Sequence, residues 1–258
     1  MALASTQSWR IAWITGASSG IGRDLALQLA RAGVKVAASA RSADALTALA
    51  AQHRGIVPFP LDVTDAVAVA AAVKAIEASV GPIDLAILNA GVWLPMGARD
   101  FNGQKAADSM AVNYFGITNA IDALMPLMIA RRSGHLAFVS SVAGYRGLPK
   151  SAAYSPSKAA VISLAETLKP DLAAHGVKVS VINPGFVETP MTSVNKFPMP
   201  FMIKSDDAAA RIIAGLQAGK FEIAFPWQLV SVLKLARILP YSLYFWYVRT
   251  FLSPRSKK

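Results

Sequence analysis

Residues 9–33 read WRIAWITGASSGIGRDLALQLARAG. The mostly apolar, β-prone run at 9–15 predicts a strand, and the helically spaced apolar residues at 23–32, closed by Gly33, predict a helix. Between them lies the turn TGASSGIG. A strand, a glycine turn and a helix in this order can cradle a phosphate, because glycine lets the backbone approach the ligand and the helix N terminus presents free N–H groups. The alternative interpretation is a tight turn without a ligand.

The remainder of the chain alternates between apolar runs and helical patterns. The strands that we predict are 34–39, 56–61, 83–88, 135–140, 177–183 and 221–225, and the helices are 42–54, 65–80, 101–131, 154–174 and 206–218. Such alternation is typical of α/β proteins with a parallel sheet. We therefore expect an α/β fold with a parallel sheet of about seven strands and helices on both faces. It would form one domain over residues 1–225, followed by a helical extension over 226–258.

Composition excludes several classes of protein. The 258 residues suit a single α/β domain, and the absence of cysteine excludes disulfides, thiolate metal sites and a cysteine nucleophile. The three histidines, His53, His135 and His175, lie far apart with no carboxylate at ligand spacing, so we expect no metal site. Residues 1–7 carry no basic residue and no long apolar core, which indicates a cytoplasmic protein without a secretory signal.

A second stretch, at 136–160, carries the candidate chemistry. Tyr154 and Lys158 are four residues apart in a predicted helix and share one face. A nearby positive charge favours a phenolate, so we expect Lys158 to lower the pKa of Tyr154 and to fit it for general acid–base catalysis. Ser141, at a strand end, supplies a second hydroxyl for an oxygen that develops charge. Taken singly, Tyr154 also fits a core aromatic residue, and Lys158 fits a solvated helix residue.

These motifs occur together and in order. The segments TGASSGIG at 15–22, NAG at 89–91, Ser141, YSPSK at 154–158 and NPG at 183–185 resemble the short-chain dehydrogenase/reductase family, classical type. The resemblance covers roughly residues 8–225. It implies a doubly wound (Rossmann) sheet with a nicotinamide dinucleotide bound at the carboxyl ends of its strands. It also implies an oxidoreductase whose catalytic residues are Asn113, Ser141, Tyr154 and Lys158.

The resemblance also assigns roles to individual residues. Lys158 binds the nicotinamide ribose, and the Asn113 backbone holds a water that links Lys158 to solvent. The cofactor-binding residues are Gly16, Ser18, Ser19, Gly20, Ile21, Gly22, Arg41, Asp62, Val63, Asn89, Ala90, Gly91, Tyr154, Lys158, Pro184, Gly185, Val187 and Thr189. For Asp62, a helix cap or turn acceptor near Thr64 is the alternative. For Asn113, the alternative is a polar helix residue with a local hydrogen bond.

The end of the second strand predicts which dinucleotide is bound. An acidic residue there would bind the ribose 2′-hydroxyl of NAD, but this chain has Ala40 and then Arg41. A guanidinium favours a 2′-phosphate through charge-assisted hydrogen bonds. We therefore expect NADP(H) to be preferred over NAD(H), with Ser18 assisting Arg41. The alternative is that Arg41 only covers exposed surface.

Apolar loops near the expected site indicate a hydrophobic substrate, namely a ketone, an aldehyde or the corresponding alcohol. The substrate-pocket candidates are Trp93, Met96, Tyr145, Phe186, Met191, Phe197 and Phe201. Residues 190–203 read as a substrate lid, with core packing as the alternative. A rival function is a non-catalytic NADP(H)-binding sensor or scaffold, but such a protein would have no chemical need for all four catalytic residues. We expect a homodimer or homotetramer.

The charge of the chain is strongly positive, at +11. No nucleic-acid motif accompanies this excess, which argues against a nucleic-acid partner. Residues 226–258 are rich in aromatic and aliphatic side chains, contain six Lys and Arg residues and have no acidic residue. Three interpretations of this tail stay open: an anionic membrane surface contact, a cover over the substrate cleft, or a subunit interface.

Overall fold

A computed structural model of the chain describes residues 9–195 and 197–252, and their side chains as far as Thr250. Residues 1–7, for which we expect no secretory signal, lie outside the described residues, as do the basic residues Arg255, Lys257 and Lys258. The strands are β1 (Ile11–Thr15), β2 (Lys35–Ser39), β3 (Ile56–Pro58), β4 (Leu85–Leu88), β5 (Gly134–Val139), β6 (Val177–Pro184), β7 (Val187–Glu188), β8 (Ile203–Lys204) and β9 (Glu222–Phe225).

Helices connect these strands. They are α1 (Gly20–Arg31), α2 (Ala43–Ala50), α3 (Ala66–Ser79), α4 (Gly103–Met110), α5 (Gly116–Ala130), α6 (Tyr154–Ala173), α7 (Pro190–Ser193), α8 (Ser205–Gln217), α9 (Trp227–Ile238) and α10 (Tyr241–Tyr247). A π-helix at Ala111–Phe115 joins α4 to α5, a 3₁₀ turn at Val142–Gly144 follows β5, and a second π-helix at Val248–Leu252 follows α10.

Seven parallel strands form the main sheet in the order β3-β2-β1-β4-β5-β6-β9, while β7 and β8 pair separately. The order reverses between β1 and β4, which places a crevice at their carboxyl ends. Neighbouring strands end at nearly the same height in the sheet, because Thr15 pairs with Ser39 and Leu88 pairs with Phe138. The predicted doubly wound α/β fold is confirmed. The crevice lies at the carboxyl ends of β1 and β4, which TGASSGIG and NAG follow in the sequence.

The strands are apolar on both faces because helices cover both. Trp13 and Phe138 are fully buried on the face covered by α3, α5 and α6, whereas Ile14 and Ile87 are buried on the face covered by α1 and α8. This explains why the strands read as continuous apolar runs rather than alternating ones. The two cores make the sheet a rigid base for the loops at its carboxyl edge.

Element boundaries differ from the predicted ones near the glycine turn and near Asn113. Helix α1 begins at Gly20 rather than at residue 23, so its free N–H groups lie inside the TGASSGIG turn. The predicted helix over 101–131 is interrupted by a π-helix centred on Asn113. Within the described part of the chain, the helices are all too short or too polar to cross a bilayer.

Candidate active site

The glycine turn packs so tightly that larger side chains are excluded. Gly16 and Gly20 have φ angles of +67° and +53°, a conformation that favours glycine. A Cβ atom on Gly16 would lie 2.8 Å from the Ala90 Cα atom, and one on Gly20 would lie 2.9 Å from the Thr189 Cγ2 atom. A Cβ atom on Gly22 would lie 2.3 Å from the Gly16 carbonyl oxygen. The turn therefore lies against both the NAG turn and the loop after β7.

Two polar side chains fix the turn to the neighbouring strand. The Thr15 Oγ1 atom accepts hydrogen bonds from the backbone N–H groups of Asn89 at 3.0 Å and Ala90 at 3.1 Å. In return, the Asn89 Nδ2 atom donates to the carbonyls of Thr15 at 3.0 Å and Gly16 at 3.2 Å. Sequence reasoning missed Thr15, whose signal was a hydroxyl directly before the glycine turn. These bonds hold the two strand ends at the crevice together.

A cleft of about 440 Å³ runs along the carboxyl ends of the strands. Every residue predicted to bind the cofactor lines it, except Gly22, which lies buried beneath the turn. Sequence reasoning missed further lining residues, most of which adjoin a predicted one: Ala40, Ser42, Leu61, Val92, Val112, Val139, Ser140, Pro190 and Thr192. The fold thus brings the dispersed motifs to one surface.

At the β2 end of the cleft, Arg41 and Asp62 lie close together. The Arg41 side chain is exposed and lines the cleft beside Ala40. Asp62 accepts hydrogen bonds from the backbone N–H and the hydroxyl of Thr64, at 3.0 and 2.8 Å, as the turn-acceptor alternative predicted. The Thr64 backbone N–H bond holds the pKa of Asp62 below its usual value, and Arg41 adds a smaller effect in the same direction. This end of the cleft therefore presents a guanidinium at its edge.

The other end of the cleft holds three of the predicted catalytic side chains. Tyr154 is the first residue of α6, and Lys158 lies one turn further along that helix. The Tyr154 hydroxyl is hydrogen-bonded to Ser141. Ser141 Oγ also accepts from the Ala143 N–H at 3.1 Å and donates to the Pro184 carbonyl at 3.3 Å. Two hydroxyls and an ammonium group therefore meet at the carboxyl ends of β5 and β6.

The structure corrects the expected effect of Lys158 on Tyr154. Burial raises the pKa of Tyr154 to about 12, and the hydrogen bond with Ser141 lowers it by less. Burial also lowers the pKa of Lys158 to about 8. The Lys158 Nζ atom lies 5.6 Å from the centre of the Tyr154 ring and donates to the Val139 carbonyl at 2.9 Å. Because desolvation outweighs the Ser141 hydrogen bond, the phenol is less acidic than a free tyrosine.

Asn113 is fully buried, and its side chain is completely hydrogen-bonded. Its Oδ1 atom accepts from the Val92 N–H at 2.7 Å. Its Nδ2 atom donates to the Val92 carbonyl at 3.1 Å, to Ser109 Oγ at 3.2 Å and to Ser157 Oγ at 3.0 Å. The side chain thus fixes the segment after the NAG turn against α6. The predicted water-holding role belongs to the backbone of Asn113, and it stays a prediction.

Of the substrate-pocket candidates, Trp93 and Met191 lie next to the cleft or within it, and Phe186 and Phe197 form an aromatic pair. The Trp93 ring meets the Tyr154 ring edge-on, with centroids 5.1 Å apart, and its Nε1 atom donates to Asn195 Oδ1 at 2.9 Å. Met191 lines the cleft. Phe186 and Phe197 contact each other with centroids 6.1 Å apart. Asn195 belongs to the segment predicted as a lid, so this hydrogen bond connects that segment to Trp93, whose ring contacts Tyr154.

Met96 and Tyr145 are buried away from the cleft, which corrects the prediction for these two residues, whereas the assignment of Phe201 to the substrate pocket stays a prediction. Met96 is buried outside the cleft, where its sulfur accepts from the Asn102 N–H at 3.0 Å. Tyr145 is buried in the core and donates to Glu222 Oε1 at 2.5 Å. Phe201 is exposed and lies outside the cleft lining. Their apolar character reflects packing or surface exposure, which composition cannot distinguish from substrate contact.

Comparisons with known proteins agree with this geometry. Residues 10–197 match the family described as short chain dehydrogenase. An "Uncharacterized oxidoreductase" of Myxococcus xanthus is 42% identical over 241 residues, which are 92% of this chain and 95% of that protein. An uncharacterized oxidoreductase of Mycobacterium tuberculosis is 34% identical over 241 residues, covering 88% of this chain and 92% of the relative. The chain belongs to the short-chain dehydrogenase family of oxidoreductases.

Solved structures show the same fold. A short-chain dehydrogenase from Streptomyces avermitilis superposes with a TM-score of 0.78 at 26% identity, covering 95% of this chain and 96% of the other. A short-chain dehydrogenase/reductase from Burkholderia phymatum, solved in complex with NAD, gives a TM-score of 0.83 at 24% identity over 90% and 94% of the two chains. Both similarities extend through nearly the whole Rossmann sheet.

The residues of the cleft fit a nicotinamide dinucleotide. The turn before α1 keeps glycine at the positions where a Cβ atom would fill the cradle, so backbone N–H groups at the helix start stay accessible to a pyrophosphate. The cleft then continues past Asn89, Ala90 and Gly91 to Tyr154 and Lys158. A long ligand with phosphates at its middle and a reactive ring at one end matches this order of groups.

Proposed function

We propose that the protein is an NADP(H)-dependent oxidoreductase that interconverts a hydrophobic ketone or aldehyde and its alcohol. The observation that carries this proposal is the single cleft, which extends from Arg41 past the glycine turn to Ser141, Tyr154 and Lys158. One end of the cleft offers positive charge and free helix N–H groups, and the other offers two hydroxyls and an ammonium group.

The side chains at the catalytic end move the proton. A nicotinamide dinucleotide, when bound, supplies the hydride to the substrate carbon or accepts it. Ser141 and Tyr154 hold the substrate oxygen, and in the reducing direction the Tyr154 hydroxyl transfers its proton to that oxygen, which turns the carbonyl into an alcohol. A pKa of about 12 keeps Tyr154 protonated at neutral pH, which is the form that can donate.

Lys158 supports this proton transfer. With a pKa of about 8, its ammonium group remains largely protonated at neutral pH but lies close to the range in which it exchanges protons. Its charge stabilises the phenolate that remains after Tyr154 has donated its proton. We also propose that Lys158 binds the nicotinamide ribose hydroxyls and that the Asn113 backbone connects it to solvent through a water.

The proposed preference for NADP(H) rests on residues 40–42. Ala40 offers no carboxylate to a ribose hydroxyl, and the exposed Arg41 guanidinium is available to a 2′-phosphate. Ser18 lines the same part of the cleft and supplies a hydroxyl. Ser42 is engaged locally, since its Oγ atom accepts from the Ala45 N–H at 3.2 Å and caps α2.

Fluorescence titration with NADPH and NADH tests the preference. We expect the wild-type protein to bind NADPH more tightly, and Arg41→Ala to weaken NADPH binding about tenfold or more while leaving NADH binding nearly unchanged. Arg54→Ala is a matched control, because Arg54 is also exposed but does not line the cleft. Tighter binding of NADH by the wild-type protein would contradict the assignment.

Turnover of a carbonyl panel graded by chain length and ring number tests the chemistry. We expect NADPH oxidation with hydrophobic members of the panel, and a loss of about a thousandfold in kcat for Tyr154→Phe, with NADPH affinity changed little. Tyr241→Phe is the control, since Tyr241 is exposed and outside the cleft. Full turnover by Tyr154→Phe would refute the catalytic role, and tight NADPH binding without turnover of any compound would favour the non-catalytic sensor or scaffold.

The homodimer or homotetramer expected from the sequence also stays a proposal. Sedimentation velocity of the full chain at several concentrations would test it. A single species of monomer mass at all concentrations would contradict it.

A further inference from the structure

Helix α9 is apolar on two opposite stripes. Val230, Leu233 and Ala236 form the inner stripe and are buried against the body of the protein. Val232, Leu235 and Ile238 follow the same spacing on the outer stripe and face solvent, with Leu235 59% exposed and Ile238 77% exposed. A surface helix of a globular protein normally carries polar residues on its outer side. The outer stripe therefore has no role in holding α9 to the fold.

Helix α10, which follows α9 after Leu239 and Pro240, also exposes apolar side chains. Tyr244 is its one buried residue, whereas Leu243 and Phe245 are exposed. We call Trp227, Val232, Leu235, Ile238, Leu243 and Phe245 the outer tail face. Exposed apolar side chains that occur singly need no explanation, but a run of them on consecutive helices marks a contact surface.

The outer tail face is held in place by the loop after β5. The Arg146 guanidinium lies 4.5 Å from the ring centres of both Tyr241 and Tyr244. It also donates to the carbonyls of Arg237 at 2.8 Å and Leu239 at 3.4 Å. The Tyr244 hydroxyl donates to the Gly147 carbonyl. Because these contacts fix both helices from the inside, the outer tail face is a defined feature of the folded chain.

The charge around this face identifies its occupant. Residues 226–252 contain no acidic residue, and the exposed Arg237 and Arg249 lie next to the apolar side chains in the sequence. Lys234 of α9 is paired with Glu222. In a twofold dimer through this face the same patch would meet itself, so these cations would approach their own copies without a tail carboxylate to neutralise them. The tail also contributes no residue to the lining of the cofactor cleft, as far as the described residues extend.

We propose that the outer tail face docks the protein on an anionic lipid surface, with its apolar side chains in the interface and its basic residues at the headgroups. Aromatic and aliphatic residues combined with cations are what such a surface recognises. The inference goes beyond the proposed function, because docking does not require NADP(H) or turnover.

Flotation of the full chain with vesicles tests the docking. Vesicles of phosphatidylcholine with phosphatidylserine are compared with vesicles of phosphatidylcholine alone, and flotation separates bound protein from aggregates. We expect binding to the anionic vesicles that weakens with salt, because the Debye length falls from about 10 Å at 0.1 M to about 3 Å at 1 M. The double variant Leu235→Ser/Ile238→Ser should lose about tenfold or more in vesicle affinity.

A matched control removes equally exposed apolar side chains elsewhere. Val67, 81% exposed on α3, and Phe101, 64% exposed before α4, are replaced by serine in the double variant Val67→Ser/Phe101→Ser, which should bind vesicles like wild type. NADPH titration on the same samples separates a failure of docking from a failure of the proposed function. The proposal is overturned if wild type does not float with anionic vesicles, if both double variants bind equally, or if Leu235→Ser/Ile238→Ser changes only the oligomeric mass.

Discussion

Replacing Gly22 by alanine is a direct test of how the cradle is built. Gly22 is buried in the first turn of α1, beneath the cleft. An alanine Cβ atom there would lie 2.3 Å from the Gly16 carbonyl oxygen and 2.6 Å from the Asn89 Nδ2 atom. These two atoms are hydrogen-bonded to each other at 3.2 Å, so the new methyl group would press on the bond that joins the turn to the NAG segment.

The size of the effect follows from these distances. A carbon and an oxygen in close contact are normally about 3.3–3.6 Å apart, so the Gly16 carbonyl must move by roughly 1 Å. Overpacking of this kind typically costs about 1–3 kcal/mol. Alanine gains at most about 1 kcal/mol over glycine from helix propensity. We therefore expect Gly22→Ala to lower the free energy of unfolding by about 1–2 kcal/mol.

Urea unfolding and NADPH titration provide the measurements. Gly103→Ala is the control, because Gly103 is the first residue of α4 and its added Cβ atom would meet nothing within 4 Å. The control should keep or slightly increase the stability and bind NADPH normally. Gly22→Ala should bind NADPH about tenfold more weakly, since a displaced cradle loses roughly one hydrogen bond to the phosphates. If Gly22→Ala matches wild type in both measurements, the cradle does not depend on this contact.

Two further predictions concern buried or stacked cations. Burial lowers the pKa of Lys158 from its usual value of 10.5 to about 8. Between these two pH values the folded chain therefore binds fewer protons than the unfolded chain, so its stability rises with pH. We expect the free energy of unfolding of wild type, minus that of Lys158→Met, to rise by about 2 kcal/mol between about pH 7.5 and about pH 9.5. Urea unfolding at both pH values measures this difference, and a difference that does not change with pH would contradict the prediction. Arg146→Lys keeps the charge but loses the planar stacking on Tyr241 and Tyr244, so amide hydrogen exchange in α9 and α10 should accelerate about tenfold, while Arg211→Lys on α8 should not change it.

Local sequence patterns predicted the fold because they agree with the tertiary structure. The apolar runs at 34–39 and 83–88 became buried strands, and TGASSGIG and NAG were placed at the crevice by the parallel order of β1 and β4 alone. Residues such as Arg41 and Asp62 could be located because they lie in the loops that follow β2 and β3, and all parallel strands of one sheet end at the same edge.

The corrected predictions depend on the environment of a side chain, which spacing along the chain does not give. The four-residue separation placed Lys158 near Tyr154, but the pKa of Tyr154 depends on how strongly burial desolvates the phenol and on the hydrogen bond with Ser141. The Lys158 ammonium donates instead to the Val139 carbonyl, 19 positions before it. Met96 and Tyr145 have the composition of pocket residues. Both are buried and hydrogen-bonded, to Asn102 and Glu222 respectively, which the local sequence does not indicate.

The loop after β5 connects the catalytic end of the cleft to the tail. Ser141 begins this loop and bonds Tyr154, while Arg146 and Gly147, a few residues later, bind α9 and α10. Tyr145, between them, donates to Glu222, which also accepts from Lys234 of α9. Since the loop is bound on both sides, a displacement of the tail must either break these contacts or move the segment that carries Ser141. Residues 141–147 therefore contact both the active site and the tail helices, even though the described part of the tail does not line the cleft.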